Sequence, residues 1–186
     1  MPIENWGLGF QFLRDQSGSS RMSLTQFNLS ISHSLQDWQL GVQLGYAQRR
    51  IDYSDLIFID YGESISSETE NYMDIGMGIN RTFSFVSTKW KVAYALLHVN
   101  NPNRSFISSE DKLAVRHQFS SNLDYDLNEK WQIRPSIHYT NQQKQREFML
   151  GSQISFDISE YYYKYIVLEL GSYYRFGDAL TSLIGI

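Results

Sequence analysis

Four histidines, many serines and a run of carboxylates are the residues that could do chemistry in this chain of 186 residues. His33, His98, His117 and His138 lie in separate segments without ligand spacing, so no metal site is assigned. His117 shares the alternation of Val115 and Phe119 and reads as an interfacial polar residue. Nucleophilic catalysis would need a Ser, a His and an orienting polar group brought together. Serine occurs throughout, and no spacing singles one out. Asp52, Asp55, Asp60, Glu63, Glu68 and Glu70 crowd one stretch, and carboxylates can hold calcium. The stretch lacks the D-x-D-x-D-G spacing of a calcium loop and reads as a solvated, self-repelling loop. Zero Cys removes disulfides, thiol catalysis and thiolate metal sites together. No Gly-rich phosphate loop follows a strand into a helix. Asn28-Leu-Ser, Asn80-Arg-Thr and Asn103-Arg-Ser match the glycosylation triplet, which arises readily by chance, and two of them fall within strands. The sequence therefore assigns no catalytic residue, no cofactor and no metal.

The elements carrying these residues are strands. In W-Q-L-G-V-Q-L-G-Y, residues 38–46, every second residue is apolar and every one between is Gln or Gly. That is the period of a strand with two unlike faces. Small and amide-bearing residues suit a crowded polar barrel interior, so the bulky stripe is expected to face lipid. Similar alternation predicts ten strands, over about 6–14, 21–34, 38–50, 72–84, 89–98, 112–125, 131–140, 146–157, 161–175 and 179–186. Pro135 falls inside the seventh, where it removes a ladder donor. The expected fold is all-β, an antiparallel transmembrane β-barrel of outer-membrane type, built as a single domain over 1–186.

Composition agrees with that class. A mean hydropathy of -0.38 without a long apolar run excludes a transmembrane helix but not a barrel, whose strands alternate. Aromatic residues make up 15% of the chain, enough to supply girdles at both membrane interfaces. A net charge of -4 argues against a nucleic-acid partner. If the first strand runs outward, the connections at 35–37, 85–88, 126–130 and 158–160 share one side and are all short. The other side holds the long loops at about 51–71 and 99–111, the arrangement of bacterial barrels with short periplasmic turns and long external loops. Trp6, Trp38, Trp90 and Trp131 stand at the start of outward-running strands, with Tyr161 at the start of the fifth, and predict a belt at the periplasmic interface. Lys91, Arg116, Arg134, Glu169 and Arg175 project from the expected lumen face, where they either line a conduit or pair with one another and plug it.

The residues also resemble a known family. The runs Y-A-L-L-H-V-N-N-P-N-R-S-F (94–106), D-L-N-E-K-W-Q-I-R-P-S-I-H-Y (126–139) and L-G-S-Y-Y-R-F-G-D-A-L (170–180), with Glu147 and Gly151 between the last two, resemble the PorP/SprF family in content and order. G-L-G-F-Q-F-L-R-D-Q-S-G (7–18) and D-Y-S-D-L-I-F-I-D (52–60) fit the same pattern, so the resemblance covers nearly the whole chain. It implies an outer-membrane barrel of Bacteroidota, non-enzymatic, associated with type IX secretion and gliding motility. Its implied partners are outer-membrane lipid, other components of that machinery, and secreted adhesins or enzymes held at the surface through a C-terminal sorting domain.

Three other classes are carried beside this one: a porin, an outer-membrane lipid hydrolase, and a soluble lipocalin-like binder, which the Gln- and Gly-lined face disfavours. The N-terminal M-P-I-E-N-W has neither a basic nor an apolar leader region, and family members extend beyond both ends of this chain, so a piece truncated at both ends is expected. Open strand edges would be unsatisfied in lipid. The 186-residue chain alone is thus expected neither to insert stably nor to stay monomeric in detergent. Heat-modifiable migration on a gel would contradict this.

Overall fold

In the strand Trp38–Ile51 the bulky residues are the exposed ones, Val42 at 55%, while Gly45 and Ala47 between them are buried. This inversion of a soluble protein's pattern recurs along the chain. Leu8, Phe10, Leu29, Ile75 and Leu170 are exposed, and the buried polar residues are Asn28, Asp74, Ser136 and Ser155. Among the described residues Ala47 is the one buried hydrophobic residue, so no oily core holds the molecule together. The backbone ladder does that work.

The computed structural model describes residues 5–17, 22–52, 67–106, 111–158 and 166–186. Ten strands form one antiparallel sheet in which spatial order equals sequence order. They are β1 (Trp6–Ser17), β2 (Met22–Leu35), β3 (Trp38–Ile51), β4 (Glu68–Ser84), β5 (Thr88–Leu97), β6 (Arg116–Asp126), β7 (Trp131–Gln142), β8 (Gln145–Asp157), β9 (Val167–Arg175) and β10 (Ala179–Gly185). The all-β class is as expected, and the strand pattern is the one membrane barrels use.

The described residues divide between two compact units. The first takes Met1–His33, Gly41–Met77 and Leu96–Val115; the second takes Ser34–Leu40, Gly78–Ala95 and Arg116–Ile186. In the first, β1 pairs with β2 from Trp6↔His33 to Ser17↔Met22, and the Trp6 ring lies 4.4 Å from His33. In the second, the register sets Asp126, Gln132, Ser155, Glu169 and Gly185 in a single row across β6 to β10. The β6 to β7 ladder runs to Asn122↔Ser136 and resumes only at Tyr125↔Ile133. Pro135 sits in that gap, as its missing N–H requires, yet stays paired with Ser152 on β8.

Boundaries differ from the expected ones where side chains compete with the ladder. β5 stops at Leu97 because His98 turns the chain at φ 59°. β6 starts at Arg116, four residues later than the alternation of Leu113 and Val115 suggests. The preceding residues pair with their own loop instead: Asn103 bridges Lys112, Leu113 N–H donates to Pro102 O, and Asn101 Nδ2 donates to Leu113 O. β1 runs on to Ser17 and β4 begins at Glu68, both at the expense of loops.

Two tight connections use left-handed backbone at residues other than glycine, Gln36 at φ 53° and Gln143 at φ 52°. The turn between β9 and β10 assigns that conformation to Gly177, at φ 79°, with nothing within 4 Å of where a Cβ would stand. Gly177→Ala therefore meets only the backbone penalty of about 1–2 kcal/mol. Urea unfolding of the full-length protein from lipid vesicles, followed by tryptophan fluorescence, should register this loss, whereas Gln143→Gly should be neutral or slightly stabilising.

Candidate functional site

The small and polar face of the sheet gathers charged and amide contacts among the described residues. In the first unit these begin with a row of amides. Gln26 Nε2 donates to Asn28 Oδ1 at 3.0 Å, and Asn28 Nδ2 donates to Gln11 Oε1 at 3.0 Å. Gly45 makes the row possible: a Cβ there would collide with Asn28 Oδ1 and stand 3.3 Å from Asp74 Cβ. Asp74 is 5% exposed, and both its carboxylate oxygens lie 2.9 Å from His98 Nδ1. The turn conformation of His98 ends β5 and also swings the ring back onto β4.

The loop after β5 is tied to the same region. Asn100 replaces a ladder partner, accepting from Ile75 N–H at 3.0 Å and donating to Met73 O at 2.7 Å. Arg49 Nη1 donates to Arg104 O at 2.7 Å, with its guanidinium carbon 4.9 Å from the Phe106 ring centre. Arg104 in turn pairs with Asp111 at 3.1 Å, and Asn103 Oδ1 accepts from the N–H groups of Ser105 and Asp111. The segment after β5 is thus held down by a cation from β3.

The second unit holds a charge network on its polar row. Arg134 Nη1 meets Glu169 Oε1 at 3.1 Å, and Arg134 Nε donates to Gln132 Oε1 at 2.6 Å. Ser155 Oγ donates to the same Glu169 oxygen at 3.3 Å, and Gln132 Nε2 donates to Asp126 Oδ1 at 2.7 Å. A cleft of about 580 Å³ opens beside them, lined by Arg134, Ser155, Asp157 and the turn that includes Glu129 and Lys130. Arg175 pairs with Asp178 at 2.5 Å and approaches Glu147 at 3.8 Å. Lys91 and Arg116 make no ion pair among the described residues, and Arg116 Nε is shut away without an acceptor.

The four tryptophans all lie on odd-numbered strands, and three of them open one. Trp131 lies 4.4 Å from its ladder partner Phe156, Trp38 lies under Arg81, and Trp90 stacks on Phe83. All four are exposed. Tyr161 lies outside the described residues, as do Asp55, Asp60 and Glu63 of the acidic stretch. His117 Nδ1 lies 2.7 Å from the Tyr94 hydroxyl on the exposed face.

A family model described as type IX secretion system membrane protein PorP/SprF matches residues 3–186. The chain belongs to the PorP/SprF family. Comparison with curated proteins returned no match. As a PorP/SprF chain it is a type IX secretion system membrane protein, which fits a sheet that exposes its bulky face and pairs its polar one.

Sequence reasoning missed Asp74–His98, Gly45 and Arg49. The alternation set Asp74 on the small-residue face, but its partner is 24 residues away and depends on register and on one turn. Gly45→Ala should cost about 1–3 kcal/mol through overpacking against Asn28 and Asp74. Gly78→Ala, whose Cβ would meet only ordinary contacts at 3.5 Å, should cost much less. Unfolding of both variants, made in the full-length protein and followed in vesicles, checks the contrast.

Proposed function

We propose that this protein is a non-enzymatic barrel of the outer membrane that receives secreted surface proteins by their C-terminal sorting domain and anchors them there. Family membership supports the secretion role, and the exposed bulky face supports the membrane setting. The observation that carries anchoring over conduction is the self-pairing of the polar face. Arg134 with Glu169, and Arg175 with Glu147 and Asp178, neutralise one another, so their charges are engaged in structure. Arg104 and Phe106, after β5, are tethered to β3 through Arg49, which fixes that part of the surface. Ordered loops lose less conformational entropy when a partner docks. Trp6, Trp38, Trp90, Trp131 and Tyr161 serve in this reading as the belt at the periplasmic interface, and the lumen set is Lys91, Arg116, Arg134, Glu169 and Arg175.

A second reading, a porin-like channel, draws support from Lys91 and Arg116, whose charges have no ion-pair partner among the described residues. Unpaired cations along a lumen would favour anions.

Pull-down of the full-length protein from outer membranes in detergent separates the two. A large surface protein should co-elute and disappear when its C-terminal domain is deleted. A barrel that elutes alone and conducts in a planar bilayer, with anion preference reduced by Lys91→Gln, would replace anchoring with the channel.

A further inference from the structure

On β4 the exposed apolar stripe of Met73, Ile75, Met77 and Ile79 is followed, at the next position on that face, by Arg81. A cation continuing an apolar stripe is costly within hydrocarbon and tolerable only near the interface. Two rings hold it. The guanidinium carbon lies 5.0 Å from the Trp38 ring centre and 4.5 Å from that of Phe83. Phe83 stacks on Trp90 at 5.2 Å with planes 29° apart, and the Trp90 indole N–H donates to Ser121 Oγ at 2.9 Å. The aromatic clasp is therefore itself anchored to the sheet.

What the clasp leaves open is equally specific. Rings engage the faces of a guanidinium through cation–π attraction, but its N–H donors point outward in its own plane. Arg81 has no ion-pair partner among the described residues, and with its Nε shut away the two terminal nitrogens are the donors left for an anion. The missing partner is an anion with two oxygens in one plane, the geometry a guanidinium fork matches best. It must also tolerate an apolar neighbour, because Ile79 continues the stripe from Arg81 toward the middle of the strand. One molecule with a phosphate joined to acyl chains meets both demands.

We propose that Arg81, held between Trp38 and Phe83, binds the phosphodiester of a membrane glycerophospholipid whose acyl chains lie along the stripe toward Ile79. This rests on the reading above that the bulky face meets lipid. The short connection 85–87 follows Arg81 by only a few residues, so the site belongs to the leaflet on the short-turn side.

The test is native mass spectrometry of the full-length protein in detergent with added phosphatidylglycerol. Arg81→Gln should lower bound lipid at least fivefold, while Lys144→Gln, a charge loss in the turn between β7 and β8, should leave it unchanged. Arg81→Lys, which keeps the charge but not the planar fork, should lose about threefold, and it stands in for Arg81→Gln should that variant fail to show heat-modifiable migration. Soluble glycerol phosphate should not displace the lipid. Equal lipid retention by wild type and both Arg81 variants would overturn the proposal, as would full displacement by glycerol phosphate, which would mark a site for free phosphate. If the wild type folds into vesicles yet either result appears, only this site fails. If it cannot enter vesicles at all, the lipid-facing reading fails and takes the site with it.

Discussion

The interstrand hydrogen-bond ladder is the constraint on which everything else in this molecule depends. A soluble sheet is held by what it buries, but here the bulky residues are exposed and Ala47 is the one buried apolar side chain in the ten strands. Apolar surroundings forbid unsatisfied backbone groups, so a chain of this pattern must pair its N–H and C=O groups strand to strand. Departures from the ladder are accordingly local and compensated. Pro135 leaves a gap toward β6 and keeps its pairing to β8; Asn100 lends its amide to β4 where β5 has already ended.

With stability vested in the backbone, the polar face is free to carry specific side-chain chemistry. Its small residues are what allow it. Gly45 admits Asn28 and Asp74 to one neighbourhood, and at Gly151 a Cβ would run into the Tyr173 ring. A larger side chain at 45 would push its polar neighbours apart, and one at 151 would displace the Tyr173 ring. The resulting contacts are long-range in sequence, 24 residues for Asp74 with His98 and 35 for Arg134 with Glu169. They tie the strands laterally and set which charges face each other.

The legible part of the sequence was whatever follows from a period of two. Trp38 to Tyr46 states the faces of β3 directly, and the same rule gives the order of elements and the assignment of Arg134 and Glu169 to one face. The rule fails where a short apolar alternation is captured by its own loop. Leu113 and Val115 alternate like strand residues, but Asn101 and Asn103 hold that segment against Pro102, and no periodicity reports such a bond. Partner identity was equally hidden. His98 looked like an isolated histidine because its meeting with Asp74 depends on a left-handed turn at a residue that seldom adopts one. Arg81 interrupts the apolar alternation of β4 as a lone cation, and its two aromatic neighbours come from register and packing that no periodicity reports.

The identity of spatial and sequence order also bears on how such a sheet can be made. Each strand pairs with the one synthesised just before it, so no ladder waits for a distant segment to arrive. Closing each new hairpin costs only the entropy of a short connection, apart from the longer excursions after β3, β5 and β8. The growing edge always presents the template for the next strand. Assembly can thus proceed by accretion from strand to neighbouring strand, with sequence order serving as the assembly instruction.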